Sequence, residues 1–481
     1  VVGTLCLLRP APAAAQALMP MLGDPVDLRN EAAVATDAAG KSDADSEPGA
    51  WAGDYGRWIK RAEKMALEEL DFWGASSTMP QGFLVPAFGY GTMRAAQRFD
   101  QNRHLENIIP VFHVPDPFHV DDGRHFFDFN FNARGVTRGY LFGLLYGITD
   151  RVMIGATTMF ADIFITMRPI LIPGTCDRLG VATLTEFFSL MEKLGRPKPV
   201  MTYRSTPLDP GDTSIFVTWN FLRQTYVAAA ITPKLILPTA HEATPNKNLI
   251  FALGPDLDTG AASWGVGLNP VLDFRLPPPL KIASFSLAGD GAVFAQAQRR
   301  SPKFLTPDRD VVDYLQSQHV VLDLFPDLSD MKAHYYYTPP PWVAVSGTLG
   351  VGPVSVGYRH GWGFAGEFQT NSPGFIKLIK TIGLVGNGDD GRLFFNASVP
   401  LTPLYIPGLF QFHTEYVTDG RNAMVFRDIY QMGAGFLIPV DPPPKYRLLD
   451  RKAPPKGPAL PPTTEPNQPP QPPAPPPASN P

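Results

Sequence analysis

Two sets of polar residues in this chain could carry chemistry. The first is local: His113, Asp116, His119, Asp121, Asp122 and His125. Imidazole and carboxylate are the donors that hold zinc and similar cations. The proline-rich spacing here matches no standard site, and a solvated turn is the simpler reading, so no metal is assigned. The second set is dispersed: Asp128, Lys234, Asp273, Arg275, Arg359, His413 and Glu415, with Asn130 and Asn132. These share no motif. What unites the ionisable ones is that each falls at a polar position in an alternating apolar and polar stretch. His360 or His413 could act as the base of a Ser–His hydrolase pair, but no pattern marks a nucleophilic serine. The chain carries no Gly-rich phosphate loop, HExxH, CxxC or Gly-x-Ser-x-Gly. No enzymatic activity and no cofactor are expected.

The elements that position the dispersed set are strands. From Phe127 onward, Phe127-Asp128-Phe129-Asn130-Phe131-Asn132 alternates strictly, and successive side chains of a β-strand point to opposite faces. The same period recurs along most of the chain. Ser214–Phe221 sets Ile215, Val217, Trp219 and Phe221 against Ser214, Thr218 and Asn220. In Tyr226–Leu237, Val227, Ala229, Ile231, Leu235 and Leu237 oppose Thr232 and Lys234. Trp264–Leu276 sets Val266, Leu268, Leu272, Phe274 and Leu276 against Asn269, Asp273 and Arg275. Further strands are expected at Tyr140–Ile148, Arg151–Phe160, Ile282–Ala297, Trp342–Val351, Val354–Phe364, Arg392–Val399, Leu409–Thr418 and Ala423–Ile438.

The chain of 481 residues has a formal charge of −4 and 18% charged residues. That balance argues against a nucleic-acid surface. No apolar run is long enough for a helical membrane span. Residues 1–17 resemble a signal peptide with its start missing, ending at the small-x-small triplet Ala15-Gln16-Ala17. Residues 18–122 form a periplasmic or plug-like segment holding one amphipathic helix over 55–73, whose apolar positions include Trp58, Ile59, Met65, Leu70 and Trp73. Within it, 79–122 is read as irregular or weak strands. Residues 123–440 carry the alternating strands. Residues 441–481 are proline-rich and read as an extended, disordered arm. It is either a spacer or an inert end.

About twelve strands follow (a range of 10–14), separated alternately by short turns and long segments. This rhythm predicts an all-β fold: an antiparallel transmembrane β-barrel with tight turns in the periplasm, long loops outside and both chain ends on the periplasmic side. A soluble β-sandwich also alternates. Against it, Trp, Tyr and Phe gather near strand ends on the apolar faces, as at membrane interfaces. In the barrel, Phe127, Phe129 and Phe131 face lipid on the first strand. The dispersed polar set then faces the lumen, because an Arg or Lys facing lipid at mid-depth costs about 2–4 kcal/mol. There it forms either a constriction that selects solutes or a salt-bridge network that fills a narrow barrel. Glu186, Phe187, Phe188, Leu190, Met191 and Leu194, in the loop holding Cys176, predict a short amphipathic helix that caps or constricts the outer mouth.

Two stretches carry a family likeness. Tyr146-Gly147-Ile148-Thr149-Asp150-Arg151-Val152-Met153-Ile154-Gly155 resembles the "YGLTDRLELG" hairpin of outer-membrane barrels in the MetA-pathway phenol-degradation family. Gly211-Asp212-Thr213, a strand, a turn and Pro233-Lys234-Leu235-Ile236-Leu237-Pro238-Thr239 resemble its "GDT…K-LPTG" strand pair, followed by Trp264-Gly265-Val266-Gly267-Leu268. Ala240 departs from the family's usual Gly, and the loop before Gly211 is longer than usual. More generally, Gln431, Gly433, Phe436 and Ile438 are similar to the last-strand insertion signal read by the barrel assembly machinery, although here the proline-rich arm follows it. The resemblance implies a bacterial outer-membrane channel, surrounded by outer-membrane lipid, for passive uptake of small, hydrophobic or aromatic solutes. The alternative is a non-transporting barrel that works through its long loops and its tail, the latter reaching toward peptidoglycan or a periplasmic protein.

Overall fold

A computed structural model describes residues 76–440, except 77, 80, 109–110, 116–124, 175–180, 196–200, 206, 242–258, 278–282, 302–305, 318–331, 377–386, 402–407 and 437. The expected signal peptide, the helix over 55–73, Cys176 and the proline-rich arm lie outside these residues. So do Asp116, His119, Asp121 and Asp122 of the possible metal cluster.

Twelve long antiparallel strands close into a barrel. In chain order they are β1 (Phe83–Phe99), β2 (Ala133–Thr149), β3 (Val152–Met167), β4 (Thr213–Arg223), β5 (Val227–Leu237) and β6 (Gly265–Arg275). They continue as β7 (Ala283–Phe294), β8 (Trp342–Val351), β9 (Val354–Gly363), β10 (Gly388–Pro400), β11 (Gly408–Arg421) and β12 (Met424–Phe436). Each pairs with its neighbour in sequence, and β12 pairs with β1 in the register Gly89↔Gly433 and Gly91↔Gln431. Closure leaves no exposed edge, which is what a sheet in hydrocarbon requires.

The connections sort by end. Residues 150–151, 224–226, 276–282, 352–353 and 401–407 are short turns at the end where β1 starts and β12 finishes. Five of the other end's six connections run for 24 residues or more, and only 422–423 there is tight. Local chemistry makes the turns. Arg151 donates its backbone N–H to Thr149 Oγ1 at 3.2 Å, and Asp150 Oδ1 accepts from the Gln81 backbone at 3.0 Å, tying the chain before β1 to this hairpin. Gly352 turns at φ +56°, a left-handed conformation that glycine adopts without steric cost.

The outer wall is apolar. Phe142, Leu144, Val217, Trp219, Leu268, Val345, Leu349, Val356, Phe395, Phe410 and Met432 are all exposed on it. In water that surface would be far larger than a soluble monomer tolerates; it is the surface of a lipid-facing barrel.

Two expectations need correction. The barrel does not begin at Gly123: its first wall strand is β1, inside the stretch read as irregular. The period was hidden because the inward positions of β1 are Phe83, Val85, Ala87, Gly89, Gly91, Met93 and Ala95. With small and apolar residues inside as well as outside, there is no polar beat to detect. Conversely, His125–Asn130 is not a wall strand. It is the middle of a separate three-stranded sheet with Phe112–Pro115 and Ile170–Pro173. Phe127, Phe129 and Phe131 are buried in protein rather than facing lipid.

That small sheet belongs to a cap over the long-loop end. Helix α1 (Leu184–Lys193) starts at Thr183 with a capping box: Glu186 donates its backbone N–H to Thr183 Oγ1 at 3.3 Å, and its carboxylate accepts from the Thr183 backbone at 2.8 Å. Its apolar face, Phe187, Phe188 and Met191, packs on the aromatic face of the strand. Phe129 stacks on Phe187 with centroids 4.7 Å apart and meets Phe131 edge-on at 4.7 Å. A second helix, α2 (Arg309–Ser317), adds Leu315 to the same cluster. The helix expected in this loop is therefore present.

Candidate functional site

Register assigns each wall side chain to one face, because directly paired residues share a face. The Phe88–Phe142 pair and the Tyr90–Tyr140 pair mark the outside of β1 and β2. The residues between them therefore face the lumen.

The inner wall has two different halves. On β2, β3 and β1 as far as Ala95 the inward positions between the turn and the cap are apolar or glycine apart from Thr137 and Thr157, and none carries a charge; above the bulge in β1, Arg98 pairs with Glu106 at 2.6 Å. Met93, Ala95, Leu141, Met159, Ala161, Ile163 and Met167 belong to this half. Its upper part merges with the cap, since Ala95, Ala161, Ile163 and Met167 lie in one buried cluster with Phe129, Phe131, Phe187 and Met191. At the short-turn end, Val85, Leu145 and Met153 pack with Phe216 and Met79. An apolar stripe thus runs the height of the lumen.

The other half is charged. Lys234 on β5 reaches across β6 to Asp290 on β7, Nζ to Oδ1 at 2.5 Å. It passes directly over Gly267, where a Cβ would lie 2.4 Å from Lys234 Cε. Only glycine leaves room for that bridge. The ammonium and the Arg359 guanidinium lie 5.3 and 5.9 Å from the Trp342 ring, within cation–π range. On β10 and β11, Arg392 bonds Asp390 and, at 2.9 Å, Glu415 Oε2. Glu415 Oε1 meets His413 Nε2 at 2.9 Å, His413 Nδ1 contacts Asn396 Oδ1, and Asn396 donates to Ser355 Oγ at 3.2 Å. These groups form a polar ladder along the inner wall in two bonded clusters, Lys234–Asp290 and Asp390–Arg392–Glu415–His413–Asn396–Ser355.

At the short-turn mouth the chain preceding β1 is held inside. Asp273 Oδ2 accepts from the Ser76 backbone N–H at 2.6 Å, and Asn220 donates to the Ser76 carbonyl at 2.9 Å. Thr78 donates to the Asp150 carbonyl at 2.7 Å. Ser76, Thr78 and Met79 are buried.

Of the expected lumen set, Lys234, Asp273, Arg275, Arg359, His413 and Glu415 take inward register positions on wall strands. Lys234 and Arg359 meet at Trp342, and His413 and Glu415 bond each other. Asp273 grips residue 76, away from these groups. Asp128, Asn130 and Asn132 are not lumen residues. Asp128 lies on the cap strand, and Asn130 Oδ1 accepts from the Asn132 backbone at 2.8 Å. Asn132 has φ +44°, which asparagine tolerates better than most residues. The two asparagines therefore turn the chain from cap into wall. In the insertion-signal stretch, Gln431 and Gly433 face inward, while Phe436 and Ile438 lie on the outer face near the β12 terminus.

Asp290, Arg392 and Asn396 were missed as site residues. All three lie on strands that were expected, and the alternation of Asp290 with Leu287 and Val293 was a usable sign. The charge-free stripe on β1 to β3 had no sequence mark, because it is defined by what is missing from three strands brought together.

The closed barrel with short turns at one end and long loops at the other is the fold of bacterial outer-membrane β-barrels. No family model matches the chain, and no curated protein matches it. Among solved structures it is similar to the COG4313 outer membrane channel from Pseudomonas putida F1, at 12% identity and TM-score 0.44 over 76% of this chain and 98% of that one. It is also similar to a TodX monoaromatic hydrocarbon channel mutant, at 8% identity and TM-score 0.33 over 76% and 91%. A third is the CymD monoaromatic hydrocarbon channel, at 9% identity and TM-score 0.27 over 78% and 93%. These likenesses are distant, and the functional reading rests on the chain's own residues.

Proposed function

We propose that this protein is an outer-membrane channel that passively admits small solutes with an apolar or aromatic body. One observation carries the reading: the uncharged stripe on the inner wall of β1 to β3, continuous with the aromatic cap above and with Met79 and Phe216 below. An apolar solute loses little on leaving water for such a surface. The facing ladder of Lys234, Asp290, Arg359, Arg392, Glu415 and His413 offers hydrogen bonds to a hydroxyl or carboxyl at the solute's polar end. Aromatic acids and phenols combine those two features.

The two occupied ends favour a second reading. The cap covers one mouth and Ser76, Thr78 and Met79 sit in the other, as in a barrel that serves as a scaffold for its loops and tail. In that case the tail engages peptidoglycan or a periplasmic protein. On either reading the barrel assembly machinery acts on β12 as an internal insertion signal. Liposome swelling with a small aromatic acid, compared with a sugar of equal size, separates the readings. A folded barrel, confirmed by heat-modifiable gel migration, that gives no solute-dependent swelling and no planar-bilayer conductance refutes the channel.

A further inference from the structure

Among the described residues, the apolar outer wall carries a cluster of arginines near one end. On strands β12, β1 and β2, close to the long-loop end, arginines face outward: Arg94, Arg134, Arg138 and Arg427, with Arg204 on the short strand paired to β3. All five are exposed, and Arg94 and Arg204 have side chains 69% and 61% accessible. Register aligns them. Arg427, Arg94, Val136, Phe164 and Arg204 form one cross-strand row, with Arg138 in the row below and Arg134 in the row above. At about 4.8 Å per strand step, the row from Arg427 to Arg204 spans about 19 Å.

Acidic neighbours do not neutralise the strip. Arg94 lies 3.7 Å from Asp428, and Arg204 lies 3.4 Å from Asp162. Arg427 donates to the neutral Gln97. Arg134 and Arg138 have no ion-pair partner among the described residues. Five guanidinium groups thus face two carboxylates.

The depth of the strip is set by the wall below it. Directly beneath lie Tyr90 and Tyr140, 5.4 Å apart, then Phe88, Phe142 and Phe160 in edge-on pairs. Aromatic rings of this kind gather at the membrane interface. From Ile148, the last outward residue at the short-turn end, to Arg138 is ten residues along β2. A tilted strand crosses the hydrocarbon in about 9–11 residues. The arginines therefore stand at headgroup level, where an outward charge is tolerated that would be costly at mid-depth. Guanidinium groups pair with phosphate through two parallel hydrogen bonds, and the rings below offer a surface for acyl chains.

We propose that this strip is a binding site for a phosphorylated lipid headgroup in the leaflet surrounding the long-loop end. The proposal rests on the outer-membrane reading, in which that leaflet holds phosphorylated glycolipid. Phosphate supplies the charge, and the acyl chains lie along Tyr90, Tyr140, Phe142 and Phe160. The strand ladder fixes the backbone of Arg134 and Arg138, so binding has only their side chains to order.

The test uses the full chain, folded in neutral detergent. Its affinity is measured by fluorescence polarisation for labelled bis-phosphorylated lipid A and for the same lipid stripped of phosphate, with phosphatidylglycerol and inorganic phosphate as competitors. The phosphorylated glycolipid is expected to bind at least tenfold more tightly than the stripped one. The triple variant Arg94→Gln/Arg134→Gln/Arg138→Gln should lose at least tenfold, whereas Arg151→Gln at the opposite end should not. Phosphatidylglycerol competing as well as lipid A would assign the site to any phosphate lipid. Equal binding of the two lipid A forms overturns the proposal without needing a variant. So does competition by inorganic phosphate at the lipid's own affinity, which would mark a free-anion site. Membrane fractionation run in parallel separates the failures. A chain found outside the outer membrane sinks both readings, while an outer-membrane chain indifferent to lipid phosphate sinks this one alone.

Discussion

Replacing Phe129 with alanine tests whether the cap is the barrier. Phe129 is 1% exposed and makes ring contacts with Phe131, Phe187 and Phe188. Truncating a phenylalanine buried this completely costs about 3–5 kcal/mol. The stacked and edge-on contacts account for part of that, at roughly 0.5–1.5 kcal/mol per pair. Because residue 129 belongs to no wall strand, the loss falls on the cap rather than on the barrel's hydrogen-bond ladder. If about 4 kcal/mol is removed from the closed cap, the ratio of closed to open shifts by close to a thousandfold, at 1.4 kcal/mol per factor of ten. Planar-bilayer recording should then show a large rise in open fraction, while heat-modifiable migration is unchanged. Phe395→Ala, a lipid-facing control, should alter neither. The refuting result is specific: new protease cleavage in residues 170–195 with unchanged conductance would show a loosened cap that gates nothing.

Three further outcomes follow from the lumen and its ends. Lys234→Met leaves Asp290 buried without its cation and should destabilise the barrel by about 3–5 kcal/mol; Lys234→Met/Asp290→Leu should recover most of that in urea unfolding. Gly267→Leu should mimic the single change, since its side chain occupies the path of Lys234. Asp273→Ala with Asn220→Ala removes the grip on residue 76, the first bond alone being worth about 1.5–3 kcal/mol; protease should then reach the chain before β1 and basal conductance should rise. For pH, the Thr183 hydroxyl and the backbone amides of Ala182 and Thr183 hold the Glu186 carboxyl below its ordinary range. A lowered folded-state value adds stability above the unfolded value of about 4.3 and loses it as pH falls through the folded one. Proteolysis of α1 should therefore increase on acidification below about pH 4, and Glu186→Gln should flatten that dependence.

Most of the wall could be read from residue order alone. Ser214–Phe221, Tyr226–Leu237 and Trp264–Leu276 have the faces their alternation predicts, and Lys234, Asp273 and Arg275 point inward as expected. The two failures have one cause. Period two states that a strand has an apolar face, but not what covers it. The aromatic face of His125–Asn130 meets the apolar face of α1, and an identical pattern would serve equally well against acyl chains. In β1 both faces are apolar or small as far as Gly91, so there was no alternation to see. The count of twelve still held, because β1 took the place that the cap strand had been given.

By itself the sequence determined which residues share a face, which connections are tight and which are long, because strand pleat and turn chemistry are local. The tertiary structure alone decided which strands became neighbours on closure. That put three largely charge-free inner faces side by side, let Lys234 reach Asp290 over Gly267, and gathered five arginines from four strands. These are contacts between residues far apart in the chain. They depend on register and closure, which no single strand encodes.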